Sequence, residues 1–122
     1  MTQKFIIGDV VMYGNNIMII KEPREEGHFD LLWNNWIIYC YINIEEIKPV
    51  PLTPDILEKN GWKSINGKYA LKIKNANYVV LEFTEDGIYV YINEKTILFT
   101  IKYIHELQHI LFGLGLNSEM EV

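Results

Sequence analysis

Phe29-Asp30-Leu31-Leu32-Trp33-Asn34-Asn35-Trp36-Ile37-Ile38-Tyr39-Cys40-Tyr41-Ile42 decides how the chain is read. Two runs rich in aliphatic and aromatic residues flank an Asn pair, and Asn tolerates the positive φ that a two-residue hairpin turn demands. The spacing predicts strands over 29–33 and 36–42, with Trp33 and Trp36 facing each other across the neck. Alternation then separates positions 36, 38 and 40 from 37, 39 and 41. If the core takes Trp36, Ile38 and Cys40, Tyr39 and Tyr41 stand on the outer face, either as a binding surface or as a seam against the rest of the chain.

Upstream, strands are expected over 5–13 and 17–21, punctuated by Gly14-Asn15-Asn16 and by the polar loop over 23–28. Downstream, Ile44-Glu45-Glu46-Ile47 is short enough for one helical turn before a last strand through Lys48-Pro49-Val50. Five short strands with such a turn before the last resemble an SH3-like barrel over residues 4–51, by order and length alone.

Pro49, Pro51 and Pro54 within six residues forbid a regular helix or central strand through that stretch and divide the chain into residues 1–52 and 53–122, two halves expected to pack as one compact unit. The second half opens with a helix start and stop. Thr53 caps, Pro54 takes the first turn, Asp55 suits the positive helix end, and Asn60-Gly61 provides a left-handed exit that folds Trp62 back. A meander follows over 69–74, 78–83 and 88–93, its last pair joined at Asp86-Gly87, with residues 96–99 as a fourth short strand. Thr100 is read as the cap of a final helix over 101–112. The fold class is therefore α+β: a five-stranded barrel, a helix, a three- to four-stranded antiparallel meander and a C-terminal helix.

The segment from Pro51 to Trp62, the meander, and Ile101-Lys102-Tyr103-Ile104-His105 with Leu107-Gln108 together resemble a family of short uncharacterised proteins common in gut Bacteroidota and their phages. The likeness runs over nearly the whole chain. It implies a phage or prophage accessory protein acting inside a bacterial cell by binding a host or viral component, and it implies no reaction. Glu106 and His109 are not among the residues that carry it.

Composition narrows the function classes. With 122 residues, 49% hydrophobic and 22% charged, the chain can bury a core. A net charge of −5 and a single arginine argue against a general nucleic-acid binder and make a protein partner the expectation. Lys59, Lys63, Lys68, Lys72 and Lys74 form a local exception, read chiefly as a solvated strand face. The lone Cys40 excludes an internal disulfide and is expected to be buried. A short apolar N-terminal run and the lack of a membrane-length stretch make the cytoplasm of the host cell the expected compartment. Eight tyrosines and three tryptophans exceed what so small a core needs, so Trp33, Trp36, Tyr39, Tyr41, Tyr89 and Tyr91 are the candidate binding residues.

One fragment carries a possible chemistry. His105-Glu106-Leu107-Gln108-His109 on a helix places two imidazoles one turn apart to hold Zn²⁺, with Glu106 as the base on a metal-bound water. On a helical wheel Ile104, Leu107, Ile110, Leu111 and Leu114 form the apolar face and Lys102, His105, Glu106 and His109 the opposite one, so the motif is expected to look outward. A third ligand must come from Glu119, Glu121, His28 or Asp86, since Gly115 stands where an extended motif has its third histidine. The sequence thus favours non-catalytic binding of a protein partner, with inhibition of a host system as one role and no cofactor expected. A zinc hydrolase through His105, Glu106 and His109 is one alternative. A module sequestering a small ligand or nucleotide on tyrosine faces is the other. The sequence leaves the oligomeric state open.

Overall fold

The computed structural model describes residues 4–73, 77–93 and 99–122, Phe99 by its backbone alone. Lys74 and the first three residues of the strand expected over 96–99 lie outside them. The chain is α+β, and its described residues form two five-stranded antiparallel sheets and two α-helices. It divides into two compact units, one reaching Pro51 and taking in Tyr103–Met120, the other comprising Leu52–Lys102 and Glu121–Val122.

In the first unit β1 (Val10–Tyr13), β2 (Asn16–Pro23), β3 (His28–Trp33), β4 (Ile37–Asn43) and β5 (Ile47–Pro49) are ordered β4-β3-β2-β1-β5. A 3₁₀ turn, Ile44–Glu46, capped by the Asn43 side chain on Glu45 N, precedes β5. No closure of this sheet into a barrel is seen among the described residues, where β4 and β5 are its two edges. The core face gathers Phe5, Val11, Met18, Ile20, Leu31 and Ile47, with Tyr13, Phe29, Trp33, Tyr39, Ile42 and Ile44 packed on them. Full burial of each of the first six side chains contributes about 1.5–3 kcal/mol.

Two expectations for the hairpin are corrected. Asn34 and Asn35 do take positive φ, 52° and 66°, but Trp33 pairs with Ile37, so Trp36 belongs to the turn and is 78% exposed. The core takes Tyr39, and Ile38 and Cys40 are exposed. The pairing jumps from Leu31↔Tyr39 to Phe29↔Ile42, a bulge opposite Asp30 with Tyr41 at φ 60°. That one extra residue resets the alternation, which is why Tyr39 and Ile42 face the same core.

The second unit contains α1 (Pro54–Lys59), β6 (Lys63–Ile65), β7 (Lys68–Lys72), β8 (Tyr78–Thr84), β9 (Gly87–Ile92) and β10 (Phe99–Ile101), in the sheet order β10-β9-β8-β7-β6. Thr53 accepts from Ile56 N and caps α1; Gly61 at φ 87° ends it, and Trp62, buried, donates its N–H back to Leu57 O at 3.0 Å. The meander has five strands because Asn66-Gly67, both at positive φ, turn Ile65 onto Lys68 and create β6. Gly87 has φ 127°, and a Cβ there would lie 2.8 Å from Thr100 Cγ2, so glycine lets β10 approach β9.

Ile101 pairs with Ile88 as the end of β10, so the last helix, α2 (Ile104–Gly113), begins later than residue 101. Tyr103 is its N-cap, with Glu106 Oε1 accepting from Tyr103 N at 3.0 Å. Ile104 N donates to Val50 O at 2.8 Å, which starts α2 beside the end of the first sheet's chain segment. Among the described residues no helix is long and apolar enough to cross a membrane.

Candidate functional site

The His-Glu-Leu-Gln-His fragment lies on α2, and the expectation that its imidazoles look outward is corrected for His105. His105 is 2% exposed, and Gln108 is buried with Ile104, Leu107 and Leu111; Leu114 is exposed instead. The His105 ring sits 5.0 Å from Phe5 and 6.0 Å from Tyr103, centroid to centroid. Burial lowers its pKa from the ordinary histidine value and favours the neutral ring.

His109 keeps 33% of its side chain exposed and meets the carboxylate of Asp9 at 2.8 Å through Nε2. Asp9 is buried and its Oδ2 also accepts from Ile6 N at 2.8 Å. Burial raises the Asp9 pKa above the usual carboxylate value, with the Ile6 and His109 contacts opposing that rise. Gln108 completes the tie: Oε1 accepts from Val10 N at 2.8 Å, and Nε2 donates to Gly8 O at 2.9 Å and Ser118 O at 3.0 Å.

These contacts give the fragment a structural employment residue by residue. Glu106 holds the N-terminal turn of its own helix, His105 fills an aromatic seat, and Gln108 and His109 fasten α2 to the segment over 6–10. Ring centroids of His105 and His109 are 5.5 Å apart at 77°. Among the described residues no group of three or more His, Cys, Asp or Glu is placed to share a metal ion. Glu119, Glu121, His28 and Asp86 are not brought into such a group. Asp9 and Gln108 were not legible as partners of the motif; the only local signal was an acid directly ahead of the apolar pair Val10-Val11.

The aromatic candidates divide. Trp33 and Tyr39 are half-buried and contact each other at 6.3 Å on the core side. Tyr41 is exposed, stacks on His28 at 4.3 Å and donates its hydroxyl to Glu25 Oε2 at 2.9 Å. The bulge that turns Tyr41 outward is itself held: buried Asp30 accepts from Tyr41 N at 2.9 Å and from Arg24 Nε at 2.8 Å. The Arg24 hydrogen bond, followed by the Tyr41 one, lowers the Asp30 pKa below the usual carboxylate value. Only Trp36 and Tyr41 of the first sheet's set therefore reach solvent freely.

The strand register also assembles an aliphatic feature outside the aromatic candidates. Val10, Ile19, Leu32 and Ile38 are successive partners across four strands on the face opposite the core, and Met12 and Ile17 form the next pair. Val10 is buried, Ile19, Leu32 and Met12 are half-buried, and Ile17 and Ile38 are exposed. Both faces of this sheet are thus apolar. The signal was present in the unbroken aliphatic runs Ile17-Met18-Ile19-Ile20 and Leu31-Leu32, which lack the polar alternation of a strand with one wet face.

In the second sheet Tyr89 and Tyr91 lie half-buried on the face opposite buried Val79, Leu81, Ile88 and Val90. Tyr91 donates its hydroxyl to Glu82 Oε1 at 2.8 Å, and Lys68 Nζ stands 5.4 Å from its ring centroid. Hydrogen bonding to Glu82 raises the Tyr91 pKa. A scan against protein-family models finds no match, and searches of curated proteins and of solved structures find none either.

Proposed function

We propose that this chain is a non-catalytic binding protein that holds a protein partner on the outward face of its first sheet. The observation that carries this reading is the aliphatic row Ile19, Leu32 and Ile38, running from buried Val10 out to an edge strand with Ile38 45% exposed beside the Trp36 turn. Apolar surface of this kind costs free energy in water at about 25 cal/mol per Å² and is removed by covering it. A rigid indole at the rim supplies the large contact area typical of binding hot spots. The polar groups of the His105 to His109 fragment serve the fold, which leaves this face as the better candidate for function.

The setting we infer is that of a phage-type accessory protein inside a bacterial cell, with inhibition of a host system as one role. Two things support it: the likeness of the 51–62 segment and of residues 101–105 to the Bacteroidota and phage family, and a single cysteine, which suits a reducing compartment. We read the first sheet as SH3-like on the pairing of β1 with both β2 and β5 and the 3₁₀ turn ahead of β5.

The test is capture from host lysate with the parent chain and with Ile38→Lys and Trp36→Ala variants of unchanged far-UV circular dichroism. A defined protein retained by the parent and lost by Ile38→Lys supports the reading. Retention undiminished in both variants overturns it. Near-stoichiometric zinc in the purified chain, together with a hydrolytic activity abolished by His109→Ala, replaces it with the metal-hydrolase alternative.

A further inference from the structure

The open face of the second sheet carries a regular pattern that the protein-partner reading does not use. Lys72 is paired with Tyr78 across β7 and β8. The next row runs Lys63–Ala70–Val80–Tyr91 through successive pairs from β6 to β9. The third has Lys68, paired with Ile65, on one side and Tyr89, paired with Glu82, on the other. Each of three neighbouring rows thus places a lysine toward the β6–β7 side and a tyrosine toward the β8–β9 side. Rows on one face repeat every second residue, about 6.7 Å along the strands.

The lysines are exposed, and none of the three forms an ion pair among the described residues. No Asp or Glu occurs between Lys59 and Leu81. On this face the Glu82 carboxylate is engaged by the Tyr91 hydroxyl. Lys68 Nζ at 5.4 Å from the Tyr91 centroid shows a ring presenting its π face to a cation. A cationic track beside a line of aromatic rings is the chemistry that takes an extended polyanion whose flat groups project to one side.

We propose that this face binds single-stranded nucleic acid, phosphates along Lys63, Lys68 and Lys72 and unpaired bases against Tyr78, Tyr89 and Tyr91. Charge complementarity along the lysine side selects a phosphate backbone, and the rings select bases free to stack. A duplex keeps its bases stacked on one another and offers this flat face only phosphates. The chain's net charge of −5 does not oppose the site, because the acid-free interval between Lys59 and Leu81 supplies all three lysines.

Fluorescence anisotropy with a labelled oligothymidylate at low salt tests the proposal on the full chain, with unlabelled duplex, ATP and poly-glutamate as competitors. Saturable binding is expected, with log K falling against log salt at a slope of about −2 for three phosphate contacts. Lys63→Gln, Lys68→Gln and Lys72→Gln combined should flatten that slope. Tyr89→Thr and Tyr91→Thr should each weaken binding about tenfold. The lysine substitutions lie on exposed positions and keep the test decisive if a tyrosine variant fails to fold. Absence of saturable binding overturns the proposal. So does competition by poly-glutamate equal to that by the oligonucleotide at matched charge, which assigns the face to an acidic protein. ATP competing equally per nucleotide also overturns it and points to a free nucleotide.

Discussion

The two units have five described strands each, and each is held together by different means. In the first, decisive polar contacts join residues distant in sequence: Gln108 to Val10 and Gly8, and His109 to Asp9. In the second, the shaping elements are local, the Thr53 cap, the Asn66-Gly67 turn and Gly87 at the start of β9, and the distant contacts of Lys59 and Asn60 with Val122 and Glu121 are exposed. A unit stapled by buried side chains should be sensitive to side-chain chemistry and pH, whereas one shaped by turns should be sensitive to backbone freedom.

The sharpest way to break this contrast is Gln108→Leu. It strips an acceptor from the buried Val10 N–H and a donor from two carbonyls, and should cost about 3 kcal/mol in urea unfolding. A loss under about 1 kcal/mol would mean that α2 is held to the segment over 6–10 by apolar packing alone. Next in size is Gly87→Ala in the other unit. Its φ of 127° and a Cβ 2.8 Å from Thr100 Cγ2 should lower the unfolding midpoint by an amount equivalent to about 2 kcal/mol. Gly14, positive in φ but with open space around it, is the control.

A smaller, pH-dependent effect should separate the units further. The folded pKa of His105 is lowered by burial, so its contribution is complete above the unfolded value near 6.5 and is lost as pH falls through that value toward the folded one. Asp9, raised by burial, acts the other way: its contribution is complete below the ordinary carboxylate range and is lost as pH rises through its raised value. His105→Gln should therefore remove a downward component from the denaturation midpoint between pH 7.5 and 5, read as the difference between the slopes of variant and parent. An unchanged slope in that variant would move the pH dependence elsewhere. The smallest effect is expected of Trp36→Ala, whose exposed indole should leave stability within about 0.5 kcal/mol while partner capture drops.

Legibility in the sequence followed the same divide. The α1 boundaries were readable because Thr53, Pro54, Asn60-Gly61 and Trp62 act within one turn of one another. The β8–β9 hairpin was equally plain from its apolar alternation and Gly87. β6 was not drawn as an element although Asn66-Gly67 is a strong turn signal, because Lys63-Ser64-Ile65 is three residues long with one apolar side chain and shows no alternation.

In the first unit, alternation put Cys40 inward and Tyr39 outward, and a single bulge at Tyr41 reversed both. A helical wheel counts imidazole as polar and turned His105 toward water, and it assigned Gln108 to neither face. Their burial is allowed by an aromatic seat and by backbone groups 98 and 100 residues away, which no local periodicity encodes. The aliphatic outer face was visible as unbroken runs, but only the strand register assigned its members to one side.

The tie between Gln108 and Val10 also sets a timetable. During synthesis the ribosome delivers β1 to β5 early, yet the amide of Val10 waits for a side chain 98 positions later. The intervening segment, rich in short-range pairings, can complete its own hairpins first. The first unit is therefore finished last, and nascent chains cut short of α2 should be the ones a cell's proteases recognise.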